Sequence, residues 1–260
     1  GLVGSEMCIR DSAARHRDVL KIKEKIMIER FLKKCEFDSL DDFKANYSVK
    51  VPENFNFAYD VVDKWAEEAP DKPALLWTNE NGDERQFSFA DMKEYSDRTA
   101  SFFQSLGIGK GDKVMLILKR RYQFWFSILA LHKLGAVCIP ATHLLTAKDI
   151  TYRCNAAKIK AIVAVGEDVV VNHIVKALPE CPTVECCVST GPDVPEGWHD
   201  FDSGIASALP FARPLRPNRN EDLSLLYFTS GTTGEPKMVA HDFLYPLGHI
   251  VTGKYWHNLD

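Results

Sequence analysis

The stretch Tyr227-Phe228-Thr229-Ser230-Gly231-Thr232-Thr233-Gly234-Glu235-Pro236-Lys237-Met238-Val239 carries an apolar strand into a turn rich in hydroxyls and glycine that closes on a lysine. It reads as a phosphate-holding loop. Gly231 and Gly234 accept the positive φ angles that aim successive backbone N–H groups into one concavity, and Thr229, Ser230, Thr232 and Thr233 add hydroxyl donors. Lys237 supplies the cation, since an ammonium ~4 Å from a phosphate gains roughly 4 kcal/mol at an effective dielectric of about 20. A Walker A loop needs Gly-Lys-Ser/Thr. Here Gly234 is followed by Glu235 and Pro236 and no hydroxyl follows Lys237, so that chemistry is set aside. The plain alternative is a Ser/Thr/Gly surface turn between two strands.

Working upstream, apolar runs alternate between strand and helix periods. Residues 57–69 predict a helix, and 74–78 and 85–89 predict strands joined through Asn81-Gly82, a hairpin signal. Ser88 with Asp91 opens a helix that Gly107 ends. Strands follow at 114–118, 136–139, 161–165 and 184–188, separated by helices at 122–134, after Thr146, and at 168–178. Strands separated by helices require crossovers, so the expected fold class is α/β, a mainly parallel sheet with helices on both faces. The proline-bearing segment 191–222 reads as a long connection, and 223–228 as the strand that delivers the loop. Ligands of such sheets sit beyond strand C-termini, where Thr229 begins.

Near the start, Val19, Ile22 and Ile26 among lysines and glutamates predict an amphipathic helix over 19–34, its charges forming a solvated face. Ser39 with Asp42 predicts a second, short helix before the break at Val51-Pro52. The opening GLVGSEMCIRDS has neither period, and residues 1–14 lack the basic start and apolar run of a secretion signal. Residues 1–26 are therefore expected to be a non-native, disordered or helical extension of a chain starting near Met27, and 27–260 one incomplete domain.

Composition narrows the function. A 260-residue chain with 45% hydrophobic and 26% charged residues is globular, and its net charge of -4 removes the electrostatic case for nucleic acid. Seven cysteines without a CxxC, including the adjacent Cys186-Cys187, predict reduced thiols and a cytoplasmic location. Cys186 and Cys187 fall in an apolar strand, where inert buried thiols are expected. His241, His249 and His257 complete no zinc set, so no metal site is expected, and His241 receives no role. The most apolar window, 124–140, is interrupted by His132, Lys133 and Gly135 and predicts no membrane span. Lys119-Arg120-Arg121, at a strand end, is either a phosphate contact or a solvated junction.

Residues 229–237 resemble the phosphate-loop signature of the AMP-forming acyl-CoA synthetase, adenylation-domain and luciferase superfamily. The likeness extends from about Phe57 to the end: Phe87-Ser88-Phe89-Ala90-Asp91-Met92, Gly109-Lys110-Gly111-Asp112-Lys113-Val114 and the run from Leu134 to Thr142 follow in the family's order. Pro140-Ala141-Thr142 with Asp149-Ile150-Thr151-Tyr152-Arg153 is most similar to the medium-chain branch. Tyr152 and Arg153 are also explained by packing and pairing on their own helix.

The resemblance implies the N-terminal half of an adenylate-forming large domain. It also implies a two-step reaction in fatty acid metabolism, in which a carboxylic acid reacts with Mg2+-ATP to give acyl-AMP and pyrophosphate, and coenzyme A then displaces AMP. Thr229, Ser230, Gly231, Thr232, Thr233, Gly234 and Lys237 are the implied nucleotide-binding residues, with Thr232 and Lys237 handling phosphate. The family's later motifs, including those for ribose, adenine with magnesium, and the late lysine, have no counterpart before Asp260, so this chain alone is expected to be inactive. Two alternatives share the loop: a non-catalytic nucleotide-binding module, and the adenylation domain of another adenylate-forming enzyme.

Overall fold

Residues 161–165, Ala-Ile-Val-Ala-Val, are apolar at every position, and in the computed structural model all five are buried. That pattern belongs to a strand covered on both faces. The structure describes residues 27–209, 211–230 and 234–259, and the extension read over residues 1–26 lies outside them. Its strands are β1 (Pro73–Thr78), β2 (Glu84–Ser88), β3 (Lys113–Ile117), β4 (Val137–Pro140), β5 (Ala161–Val165), β6 (Cys186–Thr190), β7 (His199–Asp200), β8 (Leu223–Thr229) and β9 (Lys237–Asp242). Seven of these form one sheet in the order β7-β6-β5-β3-β4-β8-β9, parallel throughout except for the antiparallel β8–β9 pair.

The strand order decides where the helices go. From β3 the chain crosses to β4 in one direction, whereas from β4 to β5 and from β5 to β6 it moves in the other. Right-handed crossovers therefore put helix Gln123–Leu134 on one face and helices Ala147–Ala157 and Asp168–Ala177 on the opposite face. Packing agrees: Gln123–Leu134 lies against helix Phe89–Ser105, and the other two lie against each other. The predicted caps are present as reciprocal boxes, Ser88 with Asp91 and Thr146 with Asp149.

Helix Gln123–Leu134 is so enclosed that its cation is buried. Lys133 has a fully buried side chain and donates to Asp63 Oδ1 at 2.8 Å and Asp97 Oδ1 at 2.7 Å. Burial pushes the Asp63 carboxyl up against the pull of Lys133. Next to it, Asn56 Nδ2 donates to the His132 carbonyl at 2.7 Å and to Asn218 Oδ1 at 2.8 Å, tying the segment before β8 to this helix.

Several sequence expectations are corrected. The connection 191–222 contains β7 and helix Phe201–Ser207, whose Asp200 cap accepts from Ser203 N and whose Phe201 and Ile205 are buried. The β1–β2 hairpin stands as a separate two-stranded sheet, closed by a longer turn in which Asn79 Oδ1 accepts from Asn81 N and Asp83 N. Helix 57–69 begins as a π-helix, Ala58–Asp63, before Lys64–Glu68. The sixth strand is shifted by two residues, because Val184 N turns back to Cys181 O and the ladder starts with Glu185 N on Lys160 O.

The chain divides into two compact units, one of them residues 54–244, which hold both sheets. The second unit is described over residues 27–53 and 245–259. Of the helix predicted over 19–34, residues 27–29 are helical, then Lys33 N bonds Ser48 O and Lys50 N bonds Phe31 O, making an antiparallel bridge between Leu32 and Val49. The short helix forms as Leu40–Asn46, capped by Ser39. Its Phe43 stacks on Tyr47 and meets Tyr255 edge-on at 5.4 Å.

His132 is buried against Phe243, and burial alone pushes its imidazole down to about 4. Because this lies below the unfolded value, the unfolded chain takes up the proton first as pH falls. The stability that the neutral ring carries is complete above the unfolded pKa of about 6.5 and is lost toward pH 4. Relative to His132→Leu, the wild-type chain should lose about 3 kcal/mol between those limits. Urea unfolding of both at stepped pH measures this, and parallel pH profiles would contradict it.

Candidate phosphate-binding site

The hydroxyl-rich turn lies between antiparallel strands: Thr229 ends β8, Lys237 begins β9, and the two are registered partners. Serine chemistry helps to close the far end of the pair, where Ser224 Oγ donates to Asp242 O at 2.7 Å. β8 joins the parallel part of the sheet through one registered pair, Cys138 with Leu225. The turn thus projects past the C-terminal end of a strand whose Leu225 and Leu226 are buried.

Thr229, Ser230, Gly234 and Lys237 are all exposed there, and Thr229 Oγ1 lies 3.5 Å from Lys237 O. Gly234 adopts φ 111, the positive value anticipated for it. Gly231, Thr232 and Thr233 lie outside the described residues. What the described part presents is an exposed ammonium, two hydroxyls and a left-handed turn, a set suited to an anionic ligand.

A helix supports this turn in a way that sequence reasoning did not foresee. Tyr152, on Ala147–Ala157, donates its hydroxyl to the Pro236 carbonyl at 3.0 Å, and the Arg153 guanidinium lies 5.2 Å from the Phe228 ring centroid. Arg153 also makes the intrahelical contacts anticipated for it, with Nη1 donating to Asp149 O at 3.0 Å. The Asp149 carboxyl is held below the ordinary range by hydrogen bonds from the Thr146 side chain and backbone.

The ends of β3, β4 and β5 open on a cavity of about 1020 Å³, at the point where connections leave neighbouring strands in opposite directions. Lys119, Arg120, Arg121 and His143 line it against Glu80 and Glu167. Lys119, at φ 49, pairs with Glu167, and Arg121 Nη2 lies 3.9 Å from the same carboxylate. Two members of the basic triplet, Lys119 and Arg121, therefore face Glu167 across the cavity, while Lys119 and Arg120 are also exposed. Glu167 and His143 joined it only through the fold.

Cys138, Cys154, Cys181, Cys186 and Cys187 are free thiols, all buried except half-buried Cys186. Burial pushes Cys186 up and Cys187 up to about 12, which disfavours the nucleophilic thiolate at both. His241 sits on β9, its ring 5.8 Å from that of Tyr227. Among the described residues, no group of three His, Cys, Asp or Glu is placed to hold a metal ion, and no helix is long and apolar enough to cross a membrane.

A family model described as AMP-binding enzyme matches residues 62–256. Among curated proteins, the chain is 37% identical over 230 residues to the mitochondrial acyl-coenzyme A synthetase ACSM4 of Mus musculus, covering 85% of this chain and 39% of that protein. It is 36% identical over 211 residues to the mitochondrial acyl-coenzyme A synthetase ACSM5 of Rattus norvegicus, covering 78% and 36%. The chain thus spans about two fifths of the length of these relatives. Among solved structures, the anthranilate CoA ligase AuaEII in complex with anthranoyl-AMP superposes with a TM-score of 0.68 at 23% identity, over 79% of this chain and 38% of that one. The Brucella canis acyl-CoA synthetase gives 0.67 at 23% identity, over 77% and 35%. At that identity the two structures speak for the fold.

The cytoplasmic location read from the cysteines is overturned by the mitochondrial relatives. Free thiols report a reducing environment and do not distinguish one reducing compartment from another.

Among the described residues, a Cβ on Gly234 meets nothing within 4 Å, so φ 111 is what opposes an alanine there. Gly234→Ala should destabilise the protein by about 1–2 kcal/mol through backbone strain, read as a lower urea midpoint at unchanged slope. An unchanged midpoint would show that the turn relaxes freely.

Proposed function

Since this chain belongs to the AMP-binding enzyme family, we propose that the full-length protein joins a carboxylic acid, with fatty acids the leading class, to coenzyme A at the expense of ATP. A carboxylate oxygen attacks the α-phosphorus, the bridging bond to the β-phosphate breaks, and pyrophosphate leaves with the electron pair. The thiol sulfur of coenzyme A then attacks the acyl carbon, the bond to AMP breaks, and the thiol proton passes to solvent.

The attacking carboxylate is already anionic, so the first step calls for charge neutralisation and alignment instead of a general base. The observation that carries this reading is the exposed Lys237 ammonium at the mouth of the β8–β9 turn, beside Thr229, Ser230 and the positive-φ Gly234. Backbone amides and hydroxyls of residues 229–234, with Lys237, are suited to the β- and γ-phosphates, and Thr232 and Lys237 are assigned to phosphate handling. Magnesium enters as the partner of ATP, and no residue of this chain is assigned to it. Turnover is assigned to the full-length protein.

Pyrophosphate exchange by the full-length protein across a panel of acids tests the reading. Exchange that depends on a particular acid supports it, and a folded protein that binds no ATP in calorimetry would overturn it. Lys237→Ala should lower kcat/KM for ATP roughly 10- to 100-fold, the cost of one charged contact, and leave the ranking of acids unchanged. An altered ranking with normal ATP kinetics would contradict the assignment.

A further inference from the structure

We propose that Tyr152 is a positioning residue for the Lys237 ammonium, acting through the carbonyl of Pro236; this deepens the adenylation reading and rests on it. The hairpin that carries Lys237 is seated on the sheet through buried Leu225 and Leu226. β8 and β9 are registered with each other from Leu223 with Asp242 to Thr229 with Lys237, yet one registered pair, Cys138 with Leu225, links β8 to β4. β9 is the outermost strand of the sheet, and its residues from Lys237 to Ala240 are exposed. The registered link to β4 is at Leu225, so the tip at Thr229 and Lys237 extends beyond it.

Helix Ala147–Ala157 supplies a reference for that tip. Its underside is anchored by buried Ile150, Cys154 and Ala157, and its first turn is locked by the Thr146–Asp149 box, with Thr146 Oγ1 2.6 Å from Asp149 Oδ2. From this anchored helix two adjacent side chains reach the two limbs of the hairpin. Arg153, with a side chain 13% exposed, lies over the Phe228 ring on the incoming limb. Tyr152 meets the same ring edge-on at 6.3 Å and donates to Pro236 O, 3.0 Å away, on the outgoing limb.

The Pro236 carbonyl is an effective point to hold. The pyrrolidine ring restricts φ at 236, so ψ is the soft torsion that sets the peptide plane between Pro236 and Lys237. A hydrogen bond on that carbonyl fixes the plane and, through it, the direction in which the Lys237 side chain leaves the backbone. A cation that must meet one phosphate group gains from being aimed before the ligand arrives.

The test compares Tyr152→Phe, Lys237→Ala and the double variant in the full-length protein, with ATP-dependent pyrophosphate exchange and thermal unfolding as readouts. Tyr152→Phe keeps the ring on Phe228 and removes one hydrogen bond. It should raise KM for ATP about three- to tenfold, with Tm and the KM for acid unchanged. In the Lys237→Ala background it should have no further effect on ATP, because the group it aims is gone. An ATP KM that stays at the wild-type value in Tyr152→Phe, or a full additional loss in the double variant, overturns the positioning role and leaves the adenylation reading intact. Wild-type protein that binds no ATP overturns both.

Discussion

A strand covered on both faces can present polar chemistry only at its ends. β3, β4 and β5 are buried along almost their whole length, with Val114, Met115, Leu116, Ile117, Val137, Cys138 and Ile139 all at 1% exposure or less. Polar groups that serve a ligand must therefore collect where these strands stop. Lys119 to Arg121 follow β3, Thr142 and His143 follow β4, and Glu167 follows β5, and these residues line the cavity at the reversal of strand order. The β8–β9 turn obeys the same rule at the end of its own strand.

The enclosure has a cost inside the helix layer. Lys133 lies on a helix covered by its neighbours, so its charge is neutralised by Asp63 and Asp97 in place of water. Burial favours the neutral form of the adjacent His132, and among the described residues its Nδ1 is without a hydrogen-bond partner. Two neighbouring basic residues thus meet burial differently: Lys133 is paired with two carboxylates, and the His132 ring packs on Phe243.

Much of the architecture was legible because each element is locally consistent. The 161–165 strand, the boxes at Ser88 and Thr146, and the glycine after Phe89–Ser105 are set by chemistry within a few residues of one another. Helix Phe201–Ser207 was hidden by its brevity and by the proline-bearing chain on both sides, although Asp200 and the Phe201–Ile205 spacing mark it. The predicted helix over 19–34 fails over its last residues because Leu32 and Val49, seventeen positions apart, pair across the chain. Long-range pairing overrode local period.

By itself the sequence determined the α/β alternation and the phosphate-loop pattern, because both are written in neighbouring residues: apolar period, caps, glycines, hydroxyls and one lysine. Tertiary structure decided which distant groups meet. Only the fold brings Glu167 to Lys119 and carries the hydroxyl of Tyr152 to a carbonyl 84 positions away, since those contacts follow from the order of strands in the sheet and from which face each crossover helix covers.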